Sequence, residues 1–395
     1  MSTGAFDTAV RQERLQVAGS AGKQAGAAHM KVAIVCDWLV GVGGAERVVL
    51  ELHKMFPDAP IYTSQYDPKK IDWFKDADIR TTWLQKLSKS LRKFLPVLRA
   101  WTFSHLDLSE YDLVISSSGA EAKGVKTGKN TIHVNYCHSP THYYWIRYEE
   151  YLKNPGFGAF NWLARLGLKV LVGPMRRWDL RAAQRPNVMI ANSTFTQANI
   201  KKYYKRDSVI IHPPVNTKRF STKSSTRRKG FVTAGNQRPY MRRDLAVAAC
   251  TKLSLPLNVI GSGPEHKRLV KMAGLTVKFL TGVPDSQMPK HLSSAEAFLF
   301  PALEDFGVVA VEALAAGTPV IAFKGGGALD YIKPAQNGEF FEKQTVESLT
   351  EALQKFDKTK FDSKIVSDSA AKFNKKIFAK KMHEFVNKTL NERSS

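Results

Sequence analysis

The chain has 395 residues, 43% of them hydrophobic, which is enough for two or three ordinary globular units and argues against a disordered protein. Its 59 Lys and Arg against 35 Asp and Glu leave a formal charge of +24, which suits a polyanionic small molecule, an anionic membrane surface or nucleic acid, or a generally basic proteome. No zinc-finger, RNA-recognition or helix-turn-helix signature supports nucleic acid, and Cys36, Cys137 and Cys250 stand too far apart for a metal site, which predicts buried thiols in a reducing compartment.

Residues 1–29 lack the apolar core of a signal peptide and end in small residues before Met30; they read as a disordered extension or an expression remnant. No stretch approaches the roughly 20 apolar residues of a spanning helix, so the expectation is a cytoplasmic protein. Lys31 to Trp38 reads as a buried strand, and Leu39 to Glu46 leads through Gly41, Gly43 and Gly44 into a helix. Glycines there let a ligand approach the backbone and leave helix N–H groups free for phosphate, although the spacing is not GxGxxG.

Leu84, Leu87, Leu91, Phe94, Leu95, Leu98 and Trp101 recur every three or four residues, with Lys86, Lys89, Arg92, Lys93 and Arg99 between them and Pro96 dividing the stretch into two short helices. Such a basic amphipathic segment, 84–101, either packs on its own domain or lies on an anionic membrane. Tyr111 to Ser118 and Thr131 to Tyr136 read as strands, the second running into Cys137 and His138. A histidine at a strand end is either a structural hydrogen-bonder or a cleft residue. Asn187 to Asn192 is a further strand, Ser193 caps a helix continuing to about Tyr204, and Val209 to His212 is the last strand of this half. The polar, basic, serine-rich run 219–230 reads as a linker between domains at 30–218 and 231–372.

The second half starts again with a strand at Phe231 to Ala234, a helix at Asp244 to Leu253 and strands at Leu257 to Ile260 and Thr276 to Phe279, the pattern of a doubly wound α/β domain. Ala297 to Phe300 is then a strand, Glu304 and Asp305 lie in the loop after it, Gly307 opens a helix, and Gly317 with Pro319 stops that helix. A parallel sheet gathers such loops at its carboxyl edge, so Glu304 and Glu312 share one ligand-facing edge. Their carboxylates suit sugar hydroxyls, and the amides near Phe306, Gly307 and Val308 suit a phosphate or sugar oxygen. The competing reading is a solvated acidic loop and an exposed helical glutamate. Residues 373–395 are lysine-rich and helical by period.

Glu304 and Glu312, eight apart, with Asp305-Phe306-Gly307 between them and Ala-Ala-Gly-Thr-Pro-Val-Ile following, resemble the donor-binding segment of family 4 glycosyltransferases. These are retaining enzymes of the GT-B fold that use nucleotide-activated sugars. The resemblance covers most of residues 30–390 and implies two Rossmann-like domains facing a cleft, the first on the acceptor side and the second binding the nucleotide sugar. It implies that Glu312 holds the ribose, that Glu304 lies near the transferred sugar and diphosphate, and that the Gly43 to Glu46 turn and His138 line the cleft. It also implies that the terminal helix crosses back to the first domain. YDLVISSS, AKGV, YCHSP, Trp178-Asp179, IANS and HPPV are similar to a subgroup that includes mannosyltransferases of bacterial polysaccharide assembly. The implied donor is a nucleotide-diphosphate sugar, GDP-mannose favoured, and the acceptor a glycan or polyprenyl-linked sugar, with no metal and no other cofactor.

The family places an arginine after the glycine that follows the first strand of the second domain, and a lysine five residues later, both gripping the diphosphate. Here Gly235 is followed by Asn236, and Met241 holds the lysine position. Arg238 or Arg242 is the expected substitute, in a loop that also contains Arg243. Gly119 and Ile146 depart as well, standing where the subgroup commonly has His and Asp. The alternative is a catalytically impaired glycosyltransferase-like binding protein. In an active enzyme, the Gly43 and Gly44 amides, the helix start at Gly307 and one of these arginines would stabilise charge developing on the departing diphosphate.

Overall fold

The computed structural model describes residues 30–88, 95–153, 155, 158–221 and 228–394. Residues 1–29, the basic cluster Lys89, Arg92 and Lys93, and half of the serine-rich linker, 222–227, lie outside the described residues.

Two parallel sheets organise the chain. The first contains β1 (Val32–Cys36), β2 (Ile61–Thr63), β3 (Ile79–Thr81), β4 (Leu113–Ser118), β5 (Ile132–Cys137), β6 (Val188–Ala191) and β7 (Val209–Ile210), in the spatial order β3-β2-β1-β4-β5-β6-β7. The second contains β8 (Phe231–Ala234), β9 (Leu257–Ile260), β10 (Val277–Leu280), β11 (Ala297–Phe300), β12 (Val320–Phe323) and β13 (Gly338–Phe341), ordered β10-β9-β8-β11-β12-β13. The central strands are short apolar runs because helices cover both faces: every residue of β4, β5, β8 and β11 is buried. Strand order reverses between β1 and β4 in one sheet and between β8 and β11 in the other. At such a switch point the flanking loops diverge to opposite faces and leave a crevice beyond the carboxyl ends. The architecture is two doubly wound domains of the GT-B type, as expected.

The final helix, Lys375–Ser394, leaves the second domain and inserts Phe378, Met382 and Val386 into the core of the first, beside Ile34, Leu52 and Tyr136. Burying each of these three side chains contributes on the order of 1.5–3 kcal/mol. Arg393 Nη1 donates to Thr131 O at 2.8 Å at the far end of that helix.

Two local readings change. The described parts of the stretch 84–101 do not form one amphipathic surface: Leu84 sits fully buried in the short helix Trp83–Lys86. A second helix, Pro96–His105, starts at its proline, and Arg99 turns inward to Glu121, with Nε to Oε2 at 2.8 Å. The helix capped by Ser193, whose Oγ accepts from Thr196 N at 3.0 Å, does continue to Tyr204, widening after Asn199 into a π turn over Ile200–Tyr204. The sequence reading also passed over a 22-residue helix, Asn161–Ala182.

Candidate active site

On the first domain, Asp37 follows β1 and is buried. Its carboxylate accepts from the amides of Gly119 at 2.8 Å, Ala120 at 3.0 Å and Ala122 at 2.7 Å, which pins the loop after β4 to the end of β1. Burial, with Glu121 adding to it, raises the Asp37 carboxyl above the usual range. A Cβ placed on Gly119 would sit 3.6 Å from that of His138, at the end of β5, so this loop adjoins the histidine. His138 Nε2 lies 2.7 Å from Ser117 Oγ, and burial brings the imidazole down to about 4, against the pull of Asp305. It is therefore neutral at pH 7, a group for hydrogen bonding rather than a cation.

Gly43 caps the helix Gly44–Met55 in extended conformation without a side-chain cap. A Cβ on Gly44 would stand 3.4 Å from Val308 Cγ2 of the second domain, so the glycine turn meets the start of the helix Val308–Ala315 across the crevice. Arg47, one turn further along, ion-pairs through Nη1 with Glu312 Oε1. Glu312 is only 4% exposed; burial raises its carboxyl even though Arg47 pulls the other way.

The acidic loop after β11 is fixed by its backbone. Gly307 has φ +89°, and a Cβ there would lie 2.4 Å from Phe300 Cζ. The glycine run after β12 packs directly on the same loop: a Cβ on Gly326 would fall 2.3 Å from Glu304 O, and one on Gly327 2.4 Å from Asp305 O. Gly327 N donates to Glu304 O at 2.9 Å. Phe306 is buried among His212, Tyr331 and Phe373, so its side chain is core and only its backbone faces the candidate site. Asp305 Oδ2 lies 2.8 Å from His142 Nε2 of the first domain, and Arg147 donates to Leu303 O. Burial pushes Asp305 up, but His142 and Arg147 hold it below the usual range, whereas Glu304, beside Arg243 and Arg147, is raised by burial.

The loop after β8 gives the least anticipated result. Arg242 is in left-handed conformation and pairs with its neighbour Asp244, Nε to Oδ1 at 3.2 Å. Arg238 precedes the turn Pro239–Met241 and acts electrostatically on Tyr151 and Tyr240, the latter also within the field of Glu304. Arg243 is the residue brought under the crevice: it is 3% exposed, Nη1 donates to Thr233 Oγ1 at 2.5 Å and Nη2 to Ala234 O. Burial lowers its guanidinium to about 10, with Glu304 opposing. Met241 packs against the core of the second domain, and Asn236 is exposed. One sequence signal could have found Arg243, since it falls on the buried stripe of its helix with Ala246, Val247 and Cys250.

The crevice thus collects His138, Gly43, Gly44, Glu304, Glu312 and the amides of Phe306, Gly307 and Val308, and leaves Arg242 in a local pair. It adds Arg47, His142, Arg147 and Arg243. Among the described residues no group of His, Cys, Asp and Glu could hold a metal ion. The chain does contain one Asp-x-Asp spacing, Asp76-Ala77-Asp78, ahead of β3, where Asp78 pairs with Arg80.

Two apposed switch points, with carboxylates and a buried guanidinium between them, define a two-domain glycosyltransferase architecture. Family models agree: "Glycosyltransferase Family 4" matches residues 42–219 and "Glycosyl transferases group 1" residues 214–376. Together they run through both domains, and the chain belongs to the family 4 glycosyltransferases. A Xenopus tropicalis GDP-Man:Man(3)GlcNAc(2)-PP-Dol alpha-1,2-mannosyltransferase is 30% identical over 195 residues, 42% of this chain and 40% of its own. A Mycolicibacterium smegmatis GDP-mannose-dependent alpha-(1-6)-phosphatidylinositol monomannoside mannosyltransferase is 26% identical over 212 residues, 46% of this chain and 56% of its own. The chain therefore spans about half the length of these curated relatives. Sucrose-phosphate synthase from Thermosynechococcus elongatus superposes with a TM-score of 0.70 at 17% identity, covering 92% of this chain and all of that one. Anabaena HepE in complex with UDP and glucose gives 0.65 at 19% identity, covering 91% of this chain and all of that one. Those two likenesses establish the fold.

Proposed function

We propose that the protein is a retaining, metal-independent hexosyltransferase that moves mannose from GDP-mannose to a glycan or polyprenyl-linked acceptor in bacterial polysaccharide assembly. It would work in the cytoplasm at the inner face of the membrane. The observation that carries the reading is the placement of Glu304 and Arg243 at the switch point of the second sheet, within the field of Arg147 and His142 of the first domain. Arg243, and Arg238 at the mouth of the same loop, offer the positive charge that a departing diphosphate needs. Glu312 is placed to accept from ribose hydroxyls once Arg47 yields, and Glu304 from hydroxyls of the transferred sugar. His138, neutral and held by Ser117, orients that sugar. Mannose is favoured by the names of the relatives at 30% and 26% identity.

Titration calorimetry with GDP-mannose, UDP-glucose and ADP-glucose tests the donor, and the anomeric configuration of the product by NMR tests retention. Tightest binding of GDP-mannose with an α-linked product supports the reading; preference for another base, or inversion, overturns it. A second reading, a binding protein that no longer transfers sugar, is favoured by Asn236 and Met241, of which the methionine is committed to packing. Donor binding without turnover, for any acceptor supplied, would establish it.

A further inference from the structure

The helix Asn161–Ala182 carries its large apolar side chains on the outside. Trp162, Leu163, Leu166 and Val170 are 64%, 51%, 53% and 65% exposed, whereas Met175, Asp179 and Ala182 face the domain. Alongside runs the helix Pro96–His105, joined to it where Trp178 Nε1 donates to Ser104 Oγ at 3.0 Å and where Ala100 and Met175 share one apolar cluster. These two pairings make the helices parallel, and the second exposes Leu98 and Trp101 level with the C-terminal half of the first. A row of four large exposed apolar side chains on one helix, Trp162, Leu163, Leu166 and Val170, is uncommon on a soluble monomer and marks a docking face.

Charge says what covers it. Neither 79–106 nor 151–178 contains a single Asp or Glu, in a chain with 35 of them, and these are the two segments that build the face. Lys169 and Arg177 are exposed on the apolar helix itself, and Lys86 on the neighbouring segment. A protein partner would be matched by mixed charge; an apolar row whose own helix exposes Lys169 and Arg177 and no acidic side chain matches lipid tails beneath anionic headgroups, the exposed Glu149 and Glu150 standing on the preceding helix Tyr148–Lys153. We propose that this face docks on an anionic phospholipid bilayer, with Trp162, Leu166 and Val170 entering the headgroup boundary and Lys169 and Arg177 meeting lipid phosphates. The surface belongs to the first domain, on the segment that follows Arg147, whose side chain reaches Leu303 O in the crevice. The proposal rests on the membrane location in the reading above and not on sugar transfer.

Flotation of the full chain with vesicles of phosphatidylcholine, alone or mixed with phosphatidylglycerol, tests it, with GDP affinity and melting temperature measured on the same samples. The wild type should float with the mixed vesicles only. Trp162→Ser, Leu166→Ser and Val170→Ser combined should weaken flotation at least about tenfold, and Lys169→Glu with Arg177→Glu should do the same, GDP affinity and melting temperature being unchanged. The proposal is overturned if the triple variant floats like the wild type. It is also overturned if Glu at Lys89, Arg92 and Lys93 abolishes flotation that the triple variant keeps, or if light scattering shows a dimer that the triple variant converts to monomer. Flotation as described without GDP binding would remove the sugar-transfer reading and leave this one; GDP binding without flotation would do the reverse.

Discussion

The loops after β8 and β11 leave adjacent strands at the same edge of the same sheet, and both are pinned by glycine contacts, yet they present different kinds of side chain. The loop after β11 is held by backbone: Gly307 adopts a left-handed φ that a side chain would strain, and Gly326 and Gly327 press on its carbonyls. The loop after β8 is pinned in the same way, Gln237 N donating to Ser262 O at 2.9 Å and a Cβ on Gly261 falling 2.3 Å from Gly235 O, and it adds side-chain bonds, with Gln237 Nε2 donating to Gly261 O at 2.8 Å and His266 Nδ1 2.8 Å from Gln237 Oε1. Both backbones are fixed, and the difference lies in the functional side chains. A short carboxylate acts from the position its turn sets, whereas a long flexible arginine can supply a cation from more than one position.

Arg243→Met should show the largest effect. It removes the buried cation beside Glu304 while keeping the apolar bulk, and donor affinity should fall by about 1.5–3 kcal/mol, roughly tenfold to more than a hundredfold. Stability should fall as well, because the change leaves Thr233 Oγ1 and Ala234 O without their buried donor and Glu304 without its neighbouring cation. Calorimetry and thermal melts separate the two, and unchanged donor affinity would return the role to Arg238 or to nothing.

The acidic loop is broken next. Glu304→Gln should lower kcat while leaving nucleotide affinity near wild type, and Glu312→Ala should weaken GDP binding by about 1–3 kcal/mol with kcat less affected. Arg47→Ala sharpens this: it frees Glu312 from its ion pair, so GDP should bind at least as tightly as to the wild type if Arg47 competes with the ribose. Steady-state kinetics and GDP titration check all three.

How much of this the residues disclose follows the same division. The alternation of apolar runs with glycine-ended helices was enough for two doubly wound domains, and the spacing of Glu304, Gly307 and Glu312 was readable because each position is set by the chain's own turn. Arg243 was obscured because a charged residue on a buried stripe reads as part of a solvated cluster with Arg242. Arg47 and His142 meet Glu312 and Asp305 across 265 and 163 residues of sequence, a distance over which spacing has no meaning. The helix Asn161–Ala182 escaped for another reason, since it turns apolar side chains outward and does not follow the usual rule for a packed helix.

Acid should act on the first domain through His133, which is fully buried, and His138, which is half-buried at the crevice. Burial holds His133 at about 3 and His138 at about 4, both below the ordinary 6.5. The unfolded chain then binds these protons before the folded one does, so stability is fully present above pH 6.5 and declines as pH falls from there toward 4. Urea midpoints across that window should drop, and His138→Gln should flatten the upper part of the decline. The imidazole C2 proton of His138 should stay unshifted in NMR from pH 8 to 5; a titration centred near 6.5 would contradict its burial.

The smallest effects belong to the residues that the family pattern makes most conspicuous. Arg242 already pairs with Asp244, an arrangement worth well under 1 kcal/mol where it is partly exposed, and Arg242→Ala should leave donor affinity within about twofold. Asn236→Arg with Met241→Lys restores the family's two cations, but Met241 packs against the core of the second domain, and a lysine there must either bury its charge or swing out. If Arg243 supplies the diphosphate's countercharge, the pair should add little affinity and should cost some thermal stability through position 241. If no arginine has taken over, the same double variant should tighten donor binding tenfold or more, since each 1.4 kcal/mol is a factor of ten. Calorimetry on the double variant in wild-type and Arg243→Met backgrounds separates these outcomes: a gain that appears only when Arg243 is absent shows that the two sets of cations serve one phosphate position.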